Sequence, residues 1–595
     1  MPTYIRLTDY KSSDEKEQEF FNPENRYEAK QEDFSKIPGN YIAYWLSDSV
    51  INHFSKNIFL GDEVITREGM ATADNDRFLR YWNEANFNDI GFNLQTIDEA
   101  KKSNRRWFPY NKGGEFRKWY GNNEYLVDWQ SDGYGIKNNI DQKTGRLRSH
   151  NYNGEFAFQK GMTWAALSSS KISVRFSNYG FMFDSKGAMG FSDRNIEYFI
   201  ALINSCIGMK FLEILAPTMD FKVGDIIKIP LIKHKEDMIN TIVKTNIFIE
   251  KEEWDSRETS WDFAQNEILR ILNDEFLMSN EKMPTLETVY KRYCDYWREK
   301  FFTLHKNEEE LNRLFIDIYE LQDELTPDVE LKDITILKNE AKIIDGELVF
   351  QADEVMKQFI SYGVGVMFGR YSLDHKGLHV ANMGESLEEV NSKFNIQNLT
   401  FEIDDDNVIP VLEDDYFSDD MASRFIEFVK VTFGEEYLAE NIRFIENSLG
   451  TTLRKYFVKG FYEDHIKRYK KRPIYWMVAS PKKGFMSLIY MHRYQSDIFA
   501  TVQNSYLYEY ITKLEVSREN YQREADDNLN SNVQRSRATK QVEKIGKILE
   551  EVIKFDREVF TKYAQDSIEI DLDDGVKVNY CKFKDILYTI KGLCK

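Results

Sequence analysis

A chain of 595 residues, 42% hydrophobic and 14% aromatic, exceeds what one core can organise and predicts about three to five domains. Its four cysteines, Cys206, Cys294, Cys581 and Cys594, show no paired spacing, which argues against a disulfide framework or zinc site and predicts reduced, cytoplasmic thiols. There is no run of about 18 apolar residues for a membrane span, and residues 1–9 pass into a strongly polar stretch instead of a secretory leader.

A net charge of −20 argues at first sight against a nucleic-acid partner, but whole-chain charge averages over surfaces that never meet one. Its distribution is uneven. Residues 101–180 hold 14 Lys and Arg against 6 Asp and Glu, and residues 451–495 hold 11 against 2, while acidic runs such as 404–406 and 413–415 lie elsewhere. Two basic islands interleaved with aromatics suit a DNA-binding surface on an acidic body. Without the aromatics they would read as ordinary solvated faces.

In chain order, residues 1–60 begin as charged loop and then predict a helix ending near Phe54, with Ile42, Trp45, Leu46 and Val50 as its apolar stripe. Residues 61–235 are short β-branched or aromatic runs broken by Gly, Asn and Asp, predicting strands joined by turns. Here residues 173–176 and 181–183 read as a hairpin around the turn 177–180, residues 196–205 as a helix, and 221–230 as a closing strand. Residues 236–330 have helical spacing, and Leu311, Leu314, Phe315, Ile318 and Tyr319 fall on one face, as in a structural spacer. Residues 331–510 mix helices and strands. Their glycines Gly363, Gly365 and Gly369 read as close helix packing, because the spacing is too loose for a nucleotide loop. Residues 511–595 predict long helices, with Ile545, Ile548, Leu549, Val552 and Ile553 as a stripe, and then a strand-like tail at 568–580. The fold class expected is α+β and multidomain.

Residues 107–121 (WFPYNKGGEFRKWYG) pack cations, aromatics and three glycines into one run, a composition suited to contacting nucleic acid. Together with residues 69–82 (GMATADNDRFLRYW), the run closely resembles the target-recognition region of the PglX family, the adenine-specific DNA methyltransferases of BREX phage-defence systems. Residues 254–263, 307–319, 461–494 and 571–580 continue that resemblance. The ending at 196–230 is also similar to the recognition domains of type I specificity subunits and type IIG enzymes. The resemblance implies a linker from an absent methyltransferase domain at 1–60, a mixed α/β target-recognition domain at 61–235, a helical spacer at 236–330, an α+β C-terminal domain at 331–510 and a helical region at 511–595. It implies double-stranded DNA as partner, a methyltransferase domain or subunit as another, and other BREX proteins as candidates. Candidate DNA contacts in the first island are Trp107, Tyr110, Lys112, Arg117, Lys118, Trp119, Arg146, Arg148 and Arg175. In the second they are Lys467, Arg468, Lys470, Lys471 and Arg472, a phosphate-binding cluster beside the alternating residues Ile474, Trp476, Leu488 and Tyr490.

Catalytic motifs are not found. Adenine-N6 methylation in this family uses an Asn/Asp-Pro-Pro-Tyr/Phe loop around the flipped base, and this sequence has no Pro-Pro pair, Asn22-Pro23-Glu24-Asn25 being the nearest approach. S-adenosylmethionine is therefore expected only in the intact enzyme, with no cofactor, catalytic residue or metal ligand in this chain. Pro327, Asp328, Glu330 and Lys332 stand too close together for a metal-dependent nuclease and read as a loop. His465 and His492 lack a metal-ligand partner at i+4 and read as hydrogen-bonding or phosphate-facing. Two classes remain open: the recognition part of a methyltransferase, or a non-catalytic DNA-binding specificity or scaffold subunit, such as a truncated gene product.

Overall fold

A computed structural model describes residues 1–167, 171–218, 220–276 and 282–594. The chain is α+β, 48% helical and 12% strand, and divides into two compact units. The first unit comprises residues 1–79, 91–254 and 298–337; the second comprises 80–90, 255–297 and 338–595.

Two small sheets organise the first unit. In one, the strand Trp107–Asn111 pairs antiparallel with Tyr125–Asp128 and parallel with Met182–Phe183. In the other, Ile65–Arg67, Met189–Phe191, Gly161–Trp164 and Val174–Ser177 follow one another, all antiparallel. Phe108, Tyr110, Val127, Trp129, Phe158 and Met182 form a buried cluster with Met70 and Phe78, so residues from the two segments that carry the resemblance share one core. The expected hairpin at 173–183 is corrected. Its two arms belong to different sheets, and the turn between them carries the chain across, with Phe158 N donating to Phe181 O at 2.7 Å and Gly180 N to Phe158 O at 3.1 Å.

The helix expected to reach Phe54 is shorter than predicted. It spans Asp48–Lys56, capped by Ser47, whose Oγ accepts from Val50 N at 3.2 Å. Pro38 and Gly39 precede a run of turns in which Ile42 is exposed, so only Val50, Ile51 and Phe54 form the buried face. The helix at Ile196–Asn204 is as expected, but the strand expected at 221–230 is a helical turn, Val223–Ile226, followed by Pro230–Leu231 pairing with Ile58–Phe59. Helices Glu236–Asp255 and Leu286–Ile318 fill the predicted helical stretch, and Leu311, Leu314, Phe315 and Tyr319 are buried.

In the second unit, helix Ala352–Met367 packs through its glycines. A Cβ on Gly363 would come within 2.9 Å of Phe425, and one on Gly365 within 2.5 Å of Tyr371, so close packing accounts for both. Strands Tyr475–Ala479 and Met486–Tyr490 form the expected pair, in register Tyr475 to Tyr490. Both are buried at every position, since Ile409–Pro410 adds to one edge and the tail lies against the other. Helices Tyr508–Asp526 and Asn532–Phe555 supply the long C-terminal helices, and Ile545, Leu549 and Val552 are buried.

The tail departs from expectation twice. Residues 568–580 are not a strand: Asp571 caps the 3₁₀ turn Leu572–Asp574, and Gly575, at φ +80°, leads into helix Val576–Cys581. The expectation of unpaired thiols is also corrected, because Cys581 and Cys594 form a disulfide. Ala479 N donates to Ile586 O at 2.9 Å and Tyr588 N to Met477 O at 2.8 Å, a docking that folds the tail back and leaves the two Cα atoms 5.5 Å apart. A 13-residue separation in sequence gave no sign of this. Cys206 and Cys294 take no part in a disulfide.

Among the described residues no single helix is long and apolar enough to cross a membrane; Ile196–Asn204 and Cys206–Leu215 pass only as a pair bent by 71°.

Candidate nucleic-acid interface

The run at 107–121 starts as a buried strand and continues as a loop with Gly113, Gly114 and Gly121 at positive φ. These glycines let the loop fold tightly back, and its cations turn inward. Arg117 lies against helix Glu236–Asp255, where Nη2 pairs with Glu250 and Glu253 carboxylates at 2.8 Å each, and its guanidinium sits 5.0 Å from the Trp254 ring centroid. Lys118 Nζ pairs with Glu308 at 2.6 Å, and Trp119 Nε1 donates to the other oxygen of the same carboxylate at 2.8 Å. Arg175 is fully buried and donates to the Arg117 and Gly113 carbonyls, both at 3.3 Å. Burial, with Arg117 nearby, pushes the Arg175 guanidinium down to about 10, which still leaves it charged at neutral pH.

One guanidinium thus serves two buried carboxylates. Burial is the main reason Glu250 is pushed up to about 8; the negative charge of Glu253 adds to it and Arg117 opposes it. Three inward cations, Arg117, Lys118 and Arg175, share the interior with Glu250, Glu253 and Glu308. Arg117 and Lys118 are paired there with carboxylates, whereas Arg175 is held by backbone carbonyls.

Of the nine candidates in this island, Trp107, Tyr110, Arg117, Lys118, Trp119 and Arg175 are buried. Lys112 is partly covered, held by Asp184, which also accepts from Tyr110 Oη at 2.8 Å. Arg146 and Arg148 are exposed.

Those two arginines stand on a finger at residues 139–150. Arg148 N donates to Asn139 O at 2.8 Å, Asp141 N to Arg146 O at 2.9 Å, and Ile140 faces Leu147 across the pair. The tip is fastened by Asp141, whose Oδ1 accepts from Lys143 N at 3.0 Å and Thr144 N at 2.8 Å, with Gly145 at φ +67° closing the turn. The base is fastened by the other signature segment: Ala71 and His150 exchange both backbone bonds, at 2.8 and 2.9 Å, and Thr72 O accepts from Ser149 Oγ. Lys143, also exposed, escaped sequence reading; the Asp-x-x-Thr-Gly turn signal at 141–145 would have marked it.

The second island divides likewise within its own unit. Arg468 pairs with buried Glu258 at 3.1 Å, and Arg472 reaches Glu84 at 3.9 Å. Lys467, Lys470 and Lys471 are exposed. They flank the end of helix Tyr462–Arg468, where Lys470 and Lys471 both take positive φ. Lys470 approaches the Tyr81 ring at 5.8 Å, and Lys471 Nζ donates to Lys591 O at 3.2 Å. Ile474, Trp476, Leu488 and Tyr490 are buried beneath. His465 and His492 are buried too, and so bond internally instead of facing phosphate. His465 Nε2 accepts from Tyr475 N at 3.2 Å, His492 Nε2 donates to Ala85 O at 3.3 Å, and burial lowers both rings, His492 to about 3. Among the described residues no group of three His, Cys, Asp or Glu side chains is placed to hold a metal ion.

No protein-family model matches the chain. Two curated proteins do. The adenine-specific methyltransferase PglX of Lacticaseibacillus casei (strain Zhang) is 38% identical over 606 aligned residues, covering 98% of this chain and 48% of that protein. The adenine-specific methyltransferase BrxX of Escherichia coli O9:H4 (strain HS) is 33% identical over 621, covering 100% of this chain and again 48% of the relative. The chain spans about half the length of the curated relatives it matches. With identity sustained along essentially all of its residues, this chain belongs to the BREX PglX-like adenine-methyltransferase family.

Proposed function

We propose that this chain is the DNA sequence-recognition part of a BREX-type, site-specific adenine-N6 DNA methyltransferase acting in phage defence. The observation that carries the reading is the end-to-end match to PglX and BrxX over about half of each relative. Double-stranded DNA is its partner, other BREX proteins are further candidates, and the place of action is the cytoplasm. The DNA-facing groups are the exposed cations Arg146, Arg148, Lys467, Lys470 and Lys471, with the partly covered Lys112 and Arg472 as further candidates. Arg117, Lys118, Arg175, Trp107, Tyr110, Trp119 and Arg468 act as positioning residues that hold the surface in shape.

Methyl transfer from S-adenosylmethionine falls on this reading to a catalytic domain joined to the chain or meeting it. On this reading the chain itself holds no donor site. The sequence holds no Asn-Pro-Pro-Tyr/Phe loop, and the space beside Gly363 and Gly365 is filled by the rings of Phe425, Phe428 and Tyr371. The same missing loop favours a second reading, a non-catalytic specificity or scaffold subunit.

Binding of duplex DNA to the purified chain at rising salt tests the first element of the proposal. Contacts to about 6–10 phosphates predict a loss of ~10³–10⁵ in affinity between 50 and 200 mM salt, whereas a flat titration contradicts it. Adding a catalytic domain of the family then separates the two readings. Site-specific N6-methyladenine supports the methyltransferase part; DNA bound but never methylated supports the subunit.

A further inference from the structure

We propose that the finger at residues 139–150 is the element that enters a DNA groove and reads base edges. The inference rests on the DNA-recognition reading above and narrows it to one element. Three observations carry it.

The finger is pre-organised. Its tip is closed by the Asp141 cap and Gly145, its base by the Ala71–His150 pair, and Asn139 Nδ2 donates to Ser149 Oγ at 2.8 Å within it. An element already fixed in its bound shape loses little conformational freedom on docking.

Its two faces differ in chemistry. Side chains alternate along an extended arm, so Arg146 and Arg148 share one face while Leu147, opposite Ile140, lies on the other. Ile140 and Leu147 remain 48% and 44% exposed, an apolar pair left in solvent on a projecting loop. Two arginines on one face suit bidentate bonds to guanine O6 and N7, and an apolar opposite face suits the thymine methyl. A narrow two-armed loop of this kind has the width of the two-stranded ribbons that the major groove, about 12 Å wide, admits.

The charge is right in sign and place. Residues 140–148 hold Lys143, Arg146 and Arg148 against Asp141 alone, in a chain whose net charge is −20. Other prominent cations of this island, Arg117, Lys118 and Arg175, are turned inward, whereas these three project.

The test is selection from a duplex pool with a randomised core, using the full chain and its Arg146→Ala, Arg148→Ala and Leu147→Ser variants. All three positions are exposed, so the variants are expected to fold as the parent does. The parent is expected to enrich a motif. Each arginine variant should lose about tenfold or more of the preference at one or two positions of that motif, a larger factor than it loses in binding to bulk duplex. Leu147→Ser should relax preference at a thymine. If the arginine variants enrich the parental motif undiminished, or if the parent retains DNA without enriching any motif, the base-reading role of the finger is overturned while DNA binding stands. If the parent retains no DNA at all, the recognition reading itself fails.

Discussion

Arg117 shows how a residue type can mislead when its partners lie far off in sequence. Its place among Trp, Lys and Gly in a basic island marks it as a phosphate or base contact. The carboxylates that hold it, Glu250 and Glu253, stand more than 130 residues away on a helix whose spacing says only that it packs. Arg117→Ala leaves buried Glu250 and Glu253 without the guanidinium that holds them. It is expected to destabilise the first unit by about 3–5 kcal/mol in urea unfolding, the cost of breaking a buried pair from one side. Arg148→Ala, at an exposed position, should stay within about 0.5 kcal/mol. Glu250 adds a pH signature. Its folded pKa, pushed up to about 8, lies above the value of an exposed glutamate, so the folded state keeps a proton that the unfolded chain releases. Stability from this group is therefore complete at low pH and falls as pH climbs from about 5 to about 8, by up to ~1.4 kcal/mol per pH unit. Glu250→Gln should flatten that decline, and an unchanged pH profile would show that Glu250 stays ionised in its pair.

At the scale of elements, local signals were legible and pairings were not. The helix at Ile196–Asn204 and the strands around Tyr475 and Tyr490 follow from nearby residues. So does the packing role of Gly363 and Gly365, and Gly365→Ala should cost about 1–3 kcal/mol, since its Cβ would press on the Tyr371 ring. A thermal melt with an unshifted midpoint would show that the ring yields freely. The false hairpin at 173–183 failed for a physical reason: strand propensity says that a segment is extended, whereas its partner is chosen by burial across the whole unit. The strand-like tail failed because the Asp571 cap and Gly575 outweigh the β-branched residues nearby. The Cys581–Cys594 bond follows from the tail's docking, which no cysteine spacing reveals. In the candidate interface, the positive charge and the two arginines of the finger could be read from sequence. Which cations face inward could not, because that depends on Glu250, Glu253, Glu258 and Glu308. Lys470→Ala with Lys471→Ala is expected to weaken cognate and non-cognate duplexes by similar factors and to make the salt slope shallower by about 1–2 units. A change confined to the cognate sequence would assign these lysines to base reading instead.

The whole molecule is acidic, yet its two units each carry a basic island, of which part is spent on internal pairs and part is displayed. That division reconciles a net charge of −20 with the proposed DNA partner. The purified chain is expected to bind no S-adenosylmethionine and to transfer no methyl group by itself. Micromolar binding of the donor in calorimetry would contradict this. The central claim is that this chain tells a methyltransferase where to act. It is tested most directly by exchanging residues 61–235, in an intact enzyme of this family, for those of a relative with a different target, and then mapping N6-methyladenine in the DNA of cells expressing the hybrid. The account predicts that the methylated motif changes to that of the donor. Methylation persisting at the original motif would contradict it.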